Sequence, residues 1–502
     1  MTTLIPKFDL KDGGSTPTGA VNRPINEKLA EFVSVKDFGA VGDGTTDDTV
    51  AIQAAVNAVQ SETPEVLYFP SGIYKVSATI NITGAITLLG SKSAEYSSGS
   101  RVFQSVSGDL FNFNPSNVGG VSFSVERLTM YSSVAGTGNS ITVVMGSPGY
   151  NSWRVKDCCF ASPQQLSILA VGDDIQITDC TFDVSGFSGK AIQLGSNTAG
   201  DVASDVRIIG CDFFNIVVQC ILHYNAKNVI VANNQVSNPA GSYTISFYEA
   251  FDTTPTLLSS VAITGNNIFN CRRLLGVNSG TDISFVGNNC NNLGTGTGES
   301  YNAVLLAGTV SNVVVNSNII SGNYDTKDII NCATTSISDV FITGNVIDAI
   351  TSSSAISLNV GTVTNVLAWP NVVDNATTVL SAVNTSNVGY FRTNSQVVNT
   401  TGGTVTPNLA SGSSLLLTAT GAGAITIAAP LNAVDGLQYT VIVYNASGGS
   451  MGAITWTSGS GGFSLNAFTN PANTFAQSIS FQYSSNFQKW IEINRTATQV
   501  FV

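Results

Sequence analysis

DIQITDCTF (174–182), DVRIIGCDF (205–213), NVIVANNQV (228–236) and SVAITGNNI (260–268) are copies of one pattern. It reads turn residue, apolar, any, apolar, two variable residues, an anchor, any, apolar. Further copies are DISFVGNNC (282–290), NVVVNSNII (312–320), DVFITGNVI (339–347) and NVLAWPNVV (365–373), with weaker ones at SWRVKDCCF (152–160) and SFSVERLTM (122–130). The anchors are Leu128, Cys158, Cys180, Cys211, Asn234, Asn266, Asn288, Asn318, Asn345 and Asn371, with successive spacings of 30, 22, 31, 23, 32, 22, 30, 27 and 26. A coil of about 22 residues, lengthened by loops in some turns, fits that series.

The apolar pairs (Ile175/Ile177, Val206/Ile208, Val261/Ile263) have the period of two expected of strands. Connections this short, without helices, cannot cross over a doubly wound sheet, so the strands must stack as a solenoid. The expected fold is all-β: a right-handed parallel β-helix with a short N-terminal capping helix and a C-terminal β-sandwich-like domain. Stacked coils put one anchor above the next, so the Asn side chains should form a buried amide ladder. The cysteines Cys158, Cys180 and Cys211 enter the same column as small buried fillers. Two residues on, Phe160, Phe182, Phe213, Val236, Ile268, Cys290, Ile320, Ile347 and Val373 form an apolar column. The Asp or Asn that opens many coils is read as a turn residue that bonds its own backbone.

Composition narrows the function. The chain has 502 residues, 43% hydrophobic and 10% charged, with a formal charge of −12 and mean hydropathy +0.22. That is well below the roughly 25–35% charge usual at a soluble surface. Ser, Thr and Asn must supply polarity, or surface must be buried between subunits. The acidic balance argues against nucleic acid as a partner. No apolar run is long enough for a membrane helix, so no membrane insertion is expected. MTTLIPKFDLKDGG has no apolar core of a signal peptide, which predicts synthesis in a cytoplasm. Eight cysteines without CxxC spacing and a single histidine, His223, point to neither a metal site nor a cofactor.

Before the coils, FVSVKDFGAVGDGTTDD (32–48) reads as a Gly-punctuated strand and turn. TTDD then caps a helix with Val50, Ala54, Ala55, Ala58 and Val59 at helical spacing, and EVLYFPSGIYKV (65–76) is two strands about a Pro–Gly turn. After residue 400, LLLTATGAGAITIAAPL, GLQYTVIVYNAS and SISFQYSSNFQKWIEINR are alternating strands between Gly/Ser turns.

The segments VSVKDFGAVGDGTTDDTVAIQAAV and VLYFPSGIYKVS closely resemble the entrance motif of the pectate-lyase-like β-helix superfamily, in the form found in bacteriophage tailspikes. LKDGGSTPTGAVNRPINEKLAEF resembles the linker joining such spikes to a virion. The resemblance covers residues 9–90. It implies a homotrimeric spike on the virion tail, attached to a tail, baseplate or adaptor protein through its N-terminus, that binds and usually cleaves a bacterial surface polysaccharide. The expected organisation is a virion-attachment segment (1–32), an entrance and cap module (33–90), the β-helix (91–382), a linker (383–404) and a C-terminal trimerisation or glycan-binding domain (405–502).

Glycoside hydrolysis needs two carboxyl groups, and a glycan groove needs aromatics and hydrogen-bonding side chains. The longer coils carry their inserts near 131–150, 183–204, 237–259 and 291–311, and loops at one point of successive coils gather on one face. The richest is SYTISFYEAFDTT (242–254). Counted from the anchors, Tyr224, Tyr248, Glu249, Glu299 and Tyr301 have offsets of 11 to 15, which would align them, with His223 beside Tyr224. Glu249 and Asp252 are the leading catalytic pair, with Glu299 and Asp325 as further candidates. His223, Tyr224, Tyr248, Phe251, Arg272, Arg273 and Tyr301 are candidate substrate-binding residues. Asp183, Asp212 and Asp348 are read as turn residues. Endo-glycosidic hydrolysis is the favoured reaction. The alternatives are a polysaccharide lyase using Arg272, Arg273 or Tyr224, and a receptor-binding spike without enzyme activity.

Overall fold

A computed structural model describes residues 32–60, 66–91, 98–115, 122–143, 152–184, 190–238 (except 197, 199 and 217), 244–250, 259–292, 302–323, 328–332, 336–350, 354–358, 362–368, 371–374, 378–382, 388–389, 395–430 (except 408 and 410–413) and 433–500 (except 434), with 7–8, 23–25 and 27 before them. The fold is all-β, a right-handed parallel β-helix with one short helix and a C-terminal sheet domain. The chain divides into two compact units, residues 1–305 and 306–502. Among the described residues no helix is long and apolar enough to cross a membrane.

In residues 1–305 each full coil contributes three strands, one to each of three parallel sheets. The first sheet holds the repeat's apolar pairs, as in Ile175–Thr178, Ala203–Ile209, Ala226–Ala232 and Ser259–Thr264. The second follows each anchor, as in Thr181–Asp183, Asp212–Phe214, Gln235–Ser237 and Asn267–Phe269. The third comprises strands such as Lys190–Leu194, Gln219–His223, Thr244–Ala250 and Cys271–Val277. Register agrees with the repeat: Val206 pairs with Val229, Val229 with Val261, and Val261 with Ile283.

Two columns of left-handed backbone set the corners. One is the residue opening the repeat: Asp174, Asp205, Asn228, Ser260 and Asp282 have φ between 44° and 62°. The other precedes the anchor: Asp157, Asp179, Gly210, Asn233, Gly265 and Gly287 have φ between 54° and 68°. Only Gly, Asn and Asp adopt this conformation routinely, which is why these residue types recur there.

Inside the second corner the ladder is complete in hydrogen bonds. Asn234 Nδ2 donates to Asn266 Oδ1 at 3.0 Å, and Asn266 Nδ2 to Asn288 Oδ1 at 2.9 Å. Each of these amides also donates to a carbonyl of the preceding coil, Ile208 and Val231 respectively. The cysteines are more than fillers. Cys158, Cys180 and Cys211 direct Sγ at the carbonyls of Val125, Val155 and Ile177, the positions equivalent to those the asparagines use. Beyond the anchors, Phe160, Phe182 and Phe213 stack at 5.0 Å between centroids, nearly parallel. Full burial of each such ring is worth about 1.5–3 kcal/mol.

The helix is Thr49–Val59. Its buried face is Ile52, Ala55, Val56 and Val59, so the expected face is corrected: Val50 is 82% exposed. Asp48 stands at the N-cap without capping through its side chain. Buried, it accepts from the backbone N–H of Val41 (2.7 Å) and Gly42 (3.0 Å), so it ties the glycine turn to the helix start. Gly42 has φ +69°, and a Cβ there would lie 2.8 Å from the Tyr74 ring.

Residues 306–502 contain further coils of the same kind. Thr309–Asn316, Ser336–Thr343 and Thr362–Leu367 are in parallel register, and Asn318, Asn345 and Asn371 continue the amide pattern at 2.9 and 2.8 Å. From Ser395 two more sheets enclose one core that includes Leu417, Val441, Ile427, Phe481 and Trp490. The first strands here pair in parallel: Ser395–Thr400 with Ser414–Ala419, and that strand with Gln438–Asn445. Antiparallel pairing begins only between Gln438–Asn445 and Phe475–Ser484. Part of the expected linker 383–404 is therefore strand.

Candidate functional site

The segment expected to be a loop insert, SYTISFYEAFDTT, contains the strand Thr244–Ala250 of the third sheet. Its alternation sorts the candidates between two faces. Tyr248 stands in register with Ile221 and Leu275, and Ala250 with His223 and Val277, on the interior face. Glu249 stands between Leu222 and Gly276 on the other face.

His223 and Tyr248 are thus interior residues, 0% and 1% exposed. His223 Nδ1 hydrogen-bonds the Tyr248 hydroxyl, and Nε2 lies 3.0 Å from the N–H and 3.1 Å from the carbonyl of Ala226. Burial lowers the imidazole pKa from 6.5 to about 3 and pushes the Tyr248 hydroxyl well above its usual value. The expected pairing of His223 and Tyr248 with a sugar is corrected: both are satisfied core groups with no exposed surface. Offsets misled here because Tyr248 aligns with Ile221, three residues before Tyr224. Tyr224 itself is half-buried, just past the strand end.

Glu249 and Arg273 are brought together on neighbouring strands. Arg273 Nη1 donates to Glu249 Oε1 at 2.6 Å, with the two side chains 16% and 6% exposed. Gly276 makes room for both: a Cβ there would lie 2.8 Å from Glu249 Cδ and Oε1 and from Arg273 Cδ. Leu274 and Leu275 both donate their N–H to the Ala303 carbonyl, at 2.7 and 3.2 Å. Arg272 is partly exposed in the same strand.

Glu249 Oε2 is buried and has no hydrogen-bond partner among the described residues. Leaving a carboxylate oxygen in that state costs free energy, which a hydroxyl or water donor recovers. The pair therefore holds one carboxylate oxygen by a charge-assisted bond and leaves the second, buried, with its hydrogen-bonding capacity unused among the described residues. Sequence reasoning found Glu249 and Arg273 as separate candidates. It missed Gly276, whose role shows only once the strands are in register.

Phe251, Asp252, Glu299, Tyr301 and Asp325 lie outside the described residues. Asp183 and Asp212 are corrected from turn residues to outward-facing positions in second-sheet strands, and Asp348 likewise lies in the strand Val346–Ile350. Asn215 Nδ2 donates to Asp183 Oδ1 at 3.0 Å.

Comparison with known proteins gives the same architecture. A glucan 1,3-beta-glucosidase of Cochliobolus carbonum is 39% identical over 88 residues, 16% of this chain and 11% of that protein. The mannuronan C5-epimerase AlgE6 of Azotobacter vinelandii is 56% identical over 45 residues, 9% of this chain and 5% of that protein. The matched stretches thus span about a tenth of those relatives' length or less. In three dimensions the AlgE6 A-module of Azotobacter vinelandii superposes with TM-score 0.53 at 15% identity, covering 71% of this chain and 97% of the module. Tailspike protein 3 of bacteriophage CBA120 does so with TM-score 0.52 at 13% identity, covering 97% of this chain and 72% of that one. At such identities the likeness establishes the fold. A family profile extends further along the sequence, matching residues 32–298, from the glycine turn through the coils that carry Glu249 and Arg273. The chain accordingly belongs to the rhamnogalacturonase A/epimerase, pectate lyase-like family.

Proposed function

We propose that this protein binds and depolymerises a bacterial surface polysaccharide by endo-glycosidic hydrolysis, with Glu249 at the reacting bond and Arg273 as its positioning residue. The observation that carries this is the buried Glu249 carboxylate, gripped on one oxygen and, among the described residues, without a hydrogen-bond partner on the other. In the reaction, one carboxyl group protonates the glycosidic oxygen as the bond to the anomeric carbon breaks. A second acts as nucleophile or activates a water that supplies the new hydroxyl. Asp252, three residues beyond Glu249, is the proposed second group, and Glu299 and Asp325 are the other candidates.

The biological setting proposed is a homotrimeric tailspike on a virion tail, made in the host cytoplasm and acting at the host surface. The entrance motif of residues 33–90 and the β-helix support it, as does the shortage of charge, which suits surface buried between subunits. Elimination by a lyase is the second reading, and an arginine beside the acid favours it, since a guanidinium can hold a uronate carboxylate. Here, however, Arg273 already spends its closest bond on Glu249.

Purified protein incubated with host-surface polysaccharide separates the readings. New reducing ends without unsaturated-uronate absorbance support hydrolysis. Absorbance from unsaturated uronates supports elimination, and retention without products supports a binding spike.

A further inference from the structure

The outward face of the second sheet carries a feature that the Glu249 site does not use. Register places Asp183, Phe214, Ser237 and Phe269 in one file, each on the next coil. Beside it runs a second file that includes Asp212, Gln235 and Asn289. All seven side chains are partly or fully exposed. Rungs of a parallel sheet are about 4.8 Å apart, so Phe214 and Phe269, two rungs apart, stand about 10 Å from one another along the file.

From this juxtaposition we propose that the second sheet's outward face between Thr181 and Asn291 is a binding strip for an extended polysaccharide, uncharged or bearing amino sugars. Phe214 and Phe269, both partly exposed, offer aromatic rings for pyranose stacking, and the Asp212 carboxylate with the amides of Gln235 and Asn289 in the neighbouring file bond the equatorial hydroxyls. Charge selects the class of chain. Two carboxylates stand on the strip, and the strands Thr181–Asp183, Asp212–Phe214, Gln235–Ser237, Asn267–Phe269 and Asn289–Asn292 contain no lysine or arginine. A polyuronate would meet like charge with no cation from these strands to offset it, whereas neutral hydroxyls and protonated amines are accepted. The strip lies on a different sheet from Glu249, so it serves to hold the chain, separate from the bond-breaking step.

This inference rests on the polysaccharide reading above and adds to it where the chain is held and which class it belongs to. The test is retention of the full-length protein on immobilised neutral, amino-sugar and uronate polysaccharides. The wild type is expected on neutral or amino-sugar chains. The double variant Phe214→Ala/Phe269→Ala should lose at least tenfold in retention, while Phe214→Tyr/Phe269→Tyr keeps it, which separates lost stacking from lost folding. Asp212→Lys should move the preference toward uronates. Undiminished retention of the alanine double variant overturns the strip and leaves the Glu249 reading standing. A wild-type preference for uronates unaffected by Asp212→Lys overturns the assigned class. No retention on any carbohydrate contradicts the polysaccharide reading itself.

Discussion

Arg273 Nη1 meets Glu249 Oε1 at 2.6 Å across neighbouring strands, and the absence of a side chain at Gly276 is what lets them meet. A buried ion pair of this kind is weak evidence for stability, because desolvation offsets much of the attraction. Its value lies in fixing one carboxylate oxygen while the other, also buried, keeps no hydrogen-bond partner among the described residues.

Gly276→Ala should therefore disrupt the site more than the fold. The added methyl would sit 2.8 Å from side-chain atoms of both partners, so one or both must shift and the pair's geometry changes. Polysaccharide cleavage is expected to fall at least tenfold, with a modest loss in Tm from overpacking of about 1–3 kcal/mol. Unchanged cleavage in a folded Gly276→Ala protein would show that the pair's geometry is immaterial.

The ladder gives an asymmetric prediction about cysteine and asparagine. Asn266 Oδ1 accepts from both the N–H and the side chain of Asn234, so Asn266→Cys orphans two donors. That should cost about 1–3 kcal/mol for each, read as a lower denaturation midpoint. Cys211→Asn extends the ladder by one amide, since Asn234 Oδ1 and the Ile177 carbonyl are already aimed at that position, and should be tolerated. Equal destabilisation by both exchanges would contradict the ladder as the source of the pattern.

All eight cysteines are buried, and none is in a disulfide. Burial pushes the pKa of Cys159 and of Cys332 up to about 12. A thiol reagent should leave the native protein unmodified at neutral pH and label it only after denaturation. Rapid labelling of a native thiol would show that the coils open at that position.

His223 predicts acid sensitivity. Its native pKa of about 3 lies below the ordinary 6.5, so below pH 6.5 the unfolded chain takes up a proton that the native state refuses. Its contribution is fully present above pH 6.5 and is lost as pH falls toward 3. The drop in Tm between pH 7 and pH 4 should be smaller in His223→Gln than in wild type. An identical drop in the two proteins would remove His223 as a cause.

What the sequence made legible was whatever repeats. The anchors, the phenylalanine stack and the turn aspartates recur because each coil imposes the same backbone corner and the same core depth. The third sheet escaped that logic. Its strands lie beyond inserts of unequal length, so counting from the anchors misplaced Tyr248 by three residues against Tyr224 and hid that it faces inward with His223. The same slippage concealed Gly276 opposite Glu249. In the C-terminal sheets, alternation identified strands such as Ser414–Ala419 correctly, yet alternation alone does not distinguish parallel from antiparallel pairing.

The central claim is that Glu249 acts at the scissile bond of a surface polysaccharide. Reducing-end release by wild type and by Glu249→Gln, on host-surface polysaccharide and with matched circular dichroism, tests it most directly. The account predicts steady release by wild type without unsaturated products and a fall of about a hundredfold or more in the variant. Full cleavage by Glu249→Gln would contradict it.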